Sequence, residues 1–261
     1  MKNFSFHTPI NTKEATKLIT NRSTFLAGGM TLLPAIKLRL AEYSNIVNIK
    51  KIKNLNGIKV SSKFLKIGST TNHFDVASSK EVKKTIPSLA ELAEGIGDPQ
   101  VRNRGTIGGS IANNDPAADY PSACLALNAT IHTTNKKIPA EKFFTGMFET
   151  SLKKGELIES IEFEIPEKSS YAKFPNPASR YAIVGVYVAK FKKEVRVAIT
   201  GAGSYVFRSK EIEEALFNNF STFSIDKVNI SSTGLNSDIH ASAEYRAHII
   251  KVMAKKAVSN C

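Results

Sequence analysis

The sequence predicts an α+β protein in two parts. Residues 1–167 mix short strands with helices. Residues 168–261 form a smaller region of antiparallel strands plus helices. Three observations carry this. The 261-residue chain is longer than one ordinary domain. Its composition, 42% hydrophobic and 23% charged, is globular and excludes a disordered tail or a fibre. The segment Pro166–Pro177, with Pro175 and Ser169-Ser170, divides two stretches of different pattern and reads as a linker.

In chain order, Asn11-Thr-Lys-Glu14 is an N-cap followed three residues later by Glu, and it opens a helix through Ile19. Ser23–Leu26 is a strand running into Gly28-Gly29, and Pro34–Leu40 is a helix with proline at its first position. Asn45–Ile49 is a strand, and Ile58–Val60 with Phe64–Ile67 is a hairpin. Pro87–Glu94 is a helix stopped by Gly95, and Gly97–Gly105 is rich in turn residues. Asp115-Pro116 starts a helix that includes Ala123–Leu127, and Ala129–Thr133 and Leu157–Ile165 are strands. After the linker, Tyr181–Phe191 and Val195–Ile199 are strands joined at Lys192-Lys-Glu194. Ser209 caps a helix to Leu216, and Ser242–Val258 is a longer helix.

Several function classes recede. The net charge of +13 comes from lysines spread along the chain, and no basic run is interleaved with aromatics. Solvated faces explain it most simply, an acidic partner comes next, and nucleic acid last. Cys124 and Cys261 form no CxxC and the five histidines are scattered, so no metal or iron–sulfur site is expected in this chain. No catalytic nucleophile–base pair is expected either. No apolar run approaches the ~18 residues of a membrane span. Met1–Asn11 lacks a signal-peptide core, so the expected location is cytoplasmic.

Two Gly-Gly loops carry the chemistry, Leu26–Leu33 and Thr106–Ser110. Glycines let the backbone approach phosphate oxygens and turn successive N–H groups inward, and a following helix N-terminus adds a favourable dipole. Thr31, Thr106 and Ser110 add hydroxyls. Either doublet alone is also an ordinary tight turn; together they could grip one dinucleotide from two sides. Neither fits GxGxxG or the P-loop pattern. Asp115 reads as an N-cap. Asp119, one turn on, either accepts a ribose or ribityl hydroxyl or compensates the helix dipole. Asp98, Arg102 and Arg104 could form a local ion-pair network.

These motifs resemble a family. Ala27-Gly-Gly-Met-Thr-Leu-Leu-Pro-Ala-Ile-Lys-Leu-Arg39 is similar to the first FAD-binding motif of the medium (flavoprotein) subunit of molybdenum hydroxylases. Gly97-Asp-Pro-Gln-Val-Arg-Asn-Arg-Gly-Thr-Ile-Gly-Gly-Ser110, with Asp115-Pro-Ala-Ala-Asp119, is similar to the second. The likeness continues through Phe143–Glu149, Ala178–Ala182 and Ser242–His248, and is strongest to the aerobic carbon monoxide dehydrogenase branch. Met30 departs from the Gln or His common among relatives.

The resemblance implies an FAD-binding domain of the vanillyl-alcohol oxidase (PCMH) type over 1–167 and a carbon monoxide dehydrogenase flavoprotein C-terminal domain over 168–261. It implies that Leu26, Ala27, Gly28, Gly29, Met30, Thr31, Leu32 and Leu33, with Thr106, Ile107, Gly108, Gly109 and Ser110, hold the pyrophosphate and neighbouring groups of non-covalent FAD. Asp119 would contact FAD hydroxyls, Ile158 and Lys173 would lie near the isoalloxazine, and Tyr181 would cover a flavin face. Lys173 would then be a cation favouring reduced flavin. The implied partners are a large molybdopterin-binding subunit and a small 2Fe-2S subunit, assembled as a dimer of heterotrimers. The chain would pass electrons from the iron–sulfur centres to an external acceptor. Two alternatives stay open: a free-standing FAD-dependent oxidoreductase, and a basic binding module with no flavin.

Overall fold

The computed structural model of the chain describes residues 2–261. Its first strands, β1 (Ser5–His7), β2 (Ser23–Leu26) and β3 (Asn45–Asn48), form a parallel sheet in the order β1-β3-β2, where Val47 pairs with both His7 and Phe25. The helix Thr12–Lys17 carries the expected cap. Asn11 Oδ1 accepts the Glu14 amide at 2.8 Å, and the Glu14 carboxylate accepts the Ile10 amide at 3.1 Å. The next helix is Leu32–Lys37, so Pro34 is third rather than first. Any first-turn position suits proline, because those amides have no intrahelical acceptor.

A second sheet is antiparallel. Its members are β4 (Ile58–Val60), β5 (Phe64–Gly68), β6 (Thr130–Thr133) and β7 (Lys137–Pro139). After a short hairpin, β8 (Phe144–Gly146) and β9 (Glu149–Thr150), comes its central strand β10 (Ile158–Glu164); the order is β4-β5-β10-β6-β7. Ile161 pairs with Ile67 on one side and Ile131 on the other, all three fully buried. Helices fill the connection from β5 to β6. Two expectations fail there. Gly97–Gly105 contains a helix, Pro99–Arg104, because Asp98 Oδ1 accepts the Val101 amide at 2.8 Å and proline follows directly. The helix expected from Asp115 begins only at Tyr120, since the Asp115 carboxylate closes a local turn onto the Ala117 amide at 2.9 Å. Among the described residues no ion pair joins Asp98 to Arg102 or Arg104. The Arg102 guanidinium instead donates to the carbonyls of Ile96 and Gly97.

The third sheet runs in chain order: β11 (Lys168–Pro175), β12 (Ala182–Lys190), β13 (Val195–Thr200) and β14 (Phe207–Arg208), all antiparallel. The segment expected as a linker is largely β11, paired with β12 from Lys168↔Lys190 to Pro175↔Ala182. Its prolines sit before, at and beyond the strand ends of an edge strand, where no ladder hydrogen bond is lost. Tyr187 and Ala189 of β12 pack toward Leu89 and Tyr120, while Val184, Val186 and Val188 pack toward the C-terminal helix Ala243–Ser259 through Ile250 and Ala254. Both faces are covered, which is why β12 reads as a near-continuous apolar run. The largest apolar cluster therefore continues across residue 167. Among the described residues no helix is long and apolar enough to cross a membrane.

Candidate functional site

Where β2 ends, the chain turns at Gly28-Gly29 opposite the turn Gly105–Gly109. With the start of β10 and the loop Ser179–Tyr181, these turns enclose a cavity of about 670 Å³, within the usual range for small-molecule sites. The charged side chains on its walls are Asp115, Asp119, Glu156 and Arg180.

The two loops differ in kind. In the first, Gly29 takes φ +76°, a conformation that costs glycine little. The amides of Gly28, Gly29, Met30, Thr31 and Leu32 have no acceptor among the described residues, and the helix Leu32–Lys37 has no side-chain cap. A row of five free N–H groups at a helix start suits an anionic ligand. Leu26, Ala27 and Met30 line the cavity with them, whereas Leu33 turns away and packs over Gly29.

In the second loop the first amides are already engaged. Ile107 N–H donates to the Thr71 carbonyl at 3.1 Å, Gly108 N–H to the Ser69 carbonyl at 2.9 Å, and Gly109 N–H to Thr106 Oγ1 at 3.2 Å. A Cβ on Gly108 would stand 2.5 Å from Ser69 Cβ, and one on Gly105 2.5 Å from His73 Nε2. Those glycines let the loop pack on Ser69–His73 rather than approach a ligand. This corrects the expectation that both doublets turn amides inward. Gly109 is the open one: its Cβ would meet only Thr106 Oγ1, at 2.9 Å. Thr106 and Ser110 keep hydroxyls at the wall, while Ile107 is wholly in the core.

Asp119 lines the cavity, yet it is 5% exposed and already partnered. Tyr171 Oη donates to its Oδ1 at 2.5 Å, and Lys173 Nζ lies 3.0 Å from Oδ1 and 3.2 Å from Oδ2. Burial pushes the Asp119 carboxyl above the usual range, opposed by Lys173 and Tyr171. Lys173 does not line the cavity. Its ammonium also donates to the carbonyls of Gly95 at 2.9 Å and Arg180 at 3.1 Å, which ties the loop after β11 to the turn at Gly95. Ile158 and Tyr181 do line the cavity, Ile158 buried and Tyr181 44% exposed.

Three residues that sequence reasoning passed over stand here. His73 forms part of the wall, and burial, reinforced by the Arg102 charge, lowers its pKa to about 4, so it is neutral. Arg180, in the left-handed region at φ +63°, donates to the Gly97 carbonyl at 2.8 Å. Tyr171 shares a strand face with Lys173, two residues on, and that alternation would have revealed it once β11 was read as a strand.

Comparison with known proteins gives the family. The profile of the family described as the FAD binding domain in molybdopterin dehydrogenase matches residues 2–167. The glyceraldehyde dehydrogenase medium chain of Sulfolobus acidocaldarius is 35% identical, with 97% of this chain and 96% of that one covered. The carbon monoxide dehydrogenase medium chain of Hydrogenophaga pseudoflava is 30% identical over 98% of this chain and 96% of its own length. A solved structure of that organism's carbon monoxide dehydrogenase, in a form lacking the Mo-pyranopterin moiety, superimposes with a TM-score of 0.89 over 99% of this chain and 96% of that chain.

Proposed function

Because the chain belongs to the family of FAD-binding domains in molybdopterin dehydrogenases, we propose that it is the electron outlet of a molybdenum hydroxylase, taking electrons from iron–sulfur centres of a partner subunit and delivering them to an external acceptor. It is an FAD-binding medium subunit of that oxidoreductase family, similar to carbon monoxide dehydrogenase medium chains. The partners we propose are a large molybdopterin-binding and a small 2Fe-2S subunit, as a dimer of heterotrimers in the cytoplasm. We divide the chain into an FAD-binding domain, 1–167, and a flavoprotein C-terminal domain, 168–261, sharing the packed seam at β12.

One observation supports this place for the cofactor: five consecutive amides, Gly28–Leu32, without an acceptor among the described residues, on a cavity of about 670 Å³. The residues fit FAD. The amide row supplies donors for a diphosphate, Gly109 leaves room for close approach, and the Asp119 carboxylate keeps acceptor capacity for a hydroxyl. Bound FAD supplies the redox chemistry, and the protein supplies binding, orientation and tuning. In our reading Leu26–Leu32 hold the diphosphate and Thr106, Gly109 and Ser110 its other side. Leu33 and Ile107 shape these loops from behind. Ile158 and Tyr181 border the ring system. Lys173 acts from one layer back, through Asp119 and the Arg180 carbonyl.

The test is reconstitution. The chain with FAD alone should turn over no organic substrate or carbon monoxide. Adding the co-purifying iron–sulfur and molybdenum subunits should make its flavin reducible by substrate. Turnover by the isolated flavinated chain would replace this reading with a free-standing oxidoreductase.

A further inference from the structure

We infer that Tyr171 is a positioning residue for the cofactor, acting through Asp119. The inference rests on the cavity holding FAD, and it concerns a side chain that does not itself line the cavity.

Both donors to Asp119 sit on β11. Alternation puts Tyr171 and Lys173 on one strand face, and both reach the same buried carboxylate. They divide the work. Lys173 Nζ has its three donors distributed among Gly95, Arg180 and Asp119, so it can hold Asp119 only in the direction those carbonyls allow. The phenol has one donor, and Asp119 Oδ1 takes it at 2.5 Å. With Oδ1 held by the phenol and Oδ2 by the ammonium, the carboxylate cannot rotate freely, and Oδ2 keeps a lone pair for a hydroxyl of a bound nucleotide.

The neighbouring strand is built around this phenol. A Cβ on Gly185 of β12 would stand 2.3 Å from Tyr171 Oη and 3.0 Å from its Cζ. Glycine weakens a strand interior and often marks a close approach. Here the approaching group is the hydroxyl that holds Asp119. The ring itself is steadied by its cross-strand partner Tyr187, with centroids 5.9 Å apart, and the Tyr187 hydroxyl is anchored on Ser88 at 2.6 Å.

Tyr171→Phe keeps the ring and removes only the donor. FAD affinity of the deflavinated full-length chain, read by quenching of flavin fluorescence, should fall about tenfold, the scale of one hydrogen bond to a charged group. In an Asp119→Ala background the same substitution should change affinity less than twofold, because the acceptor is gone. If Asp119→Ala holds too little FAD to titrate, Gly185→Ala serves as the background. It displaces the phenol while leaving Asp119 intact, and Tyr171→Phe should again cost nothing further. Unchanged affinity in Tyr171→Phe, or an equal loss in all backgrounds, overturns the positioning role. A wild-type chain that binds no FAD overturns the reading of the cavity itself.

Discussion

Gly28 lies backbone to backbone against Gly105: a Cβ on Gly28 would stand 2.8 Å from the Gly105 Cα and 2.3 Å from the Arg104 carbonyl oxygen. The two glycine loops, far apart in sequence, are therefore one packed unit. Phosphate approach is not the main reason for all of their glycines, and substitutions should sort accordingly.

Gly28→Ala should damage the fold. The clash is with backbone, which no rotamer change relieves, and overpacking of this kind costs about 3 kcal/mol. Thermal denaturation of the flavin-free chain should show a clear drop in Tm, with flavin retention lost as a consequence. An unchanged Tm would mean the loops do not meet as described.

Gly109→Val should do the opposite. The position is open on the cavity side and its one close neighbour is the rotatable Thr106 hydroxyl, so flavin-free stability should fall by only about 1 kcal/mol, the scale of one helix cap. FAD retention should be lost, because the side chain occupies the space the ligand needs. Flavin absorbance after gel filtration, beside a near-normal unfolding curve, checks both halves.

Lys173→Met should destabilise the chain by about 3 kcal/mol near neutral pH, since it leaves a buried carboxylate without its cation. The sign with pH follows from Asp119. Its folded pKa lies above the ordinary carboxylate value because of burial, and losing Lys173 moves it further up. The folded state then binds more protons than the unfolded chain, so stability falls as pH rises. Urea unfolding should show a larger gap between variant and wild type near pH 8 than near pH 5.

His73 should give the opposite slope. Burial, with Arg102, lowers its pKa from 6.5 to about 4, so the unfolded chain binds the extra proton first. Its contribution is fully present above pH 6.5 and is lost as pH falls towards 4, up to about 3 kcal/mol. His73→Gln should flatten the acid side of the stability profile. An acid limb as steep as in the wild type would mean another group dominates it.

Single-residue signals held in part. Asn11 with Glu14 caps its helix as expected, and the Pro87–Glu94 helix stops at Gly95, but the Ser209 hydroxyl donates to the Glu211 carboxylate instead of capping its helix. The spread-out errors had one cause. Prolines around Pro166–Pro177 suggested a break, yet they frame β11, whose eight residues are held by pairing with a strand that lies further on. Turn residues at Gly97–Gly105 hid a helix whose cap and proline were both in view.

By itself the sequence determined that two glycine doublets lead into helices, that Asp119 follows them, and that the motifs together mark an FAD-binding family. It could do so because turn chemistry and motif spacing are local properties of the chain. Only the tertiary structure decided which doublet offers its amides, because that depends on acceptors elsewhere: the carbonyls of Thr71 and Ser69 take the Ile107 and Gly108 amides of the second loop, and among the described residues none takes the Gly28 and Gly29 amides of the first. The same holds for Asp119. Its environment is made by Tyr171 and Lys173, about 50 residues away on an edge strand, and no local pattern records which buried carboxylate a distant donor will reach.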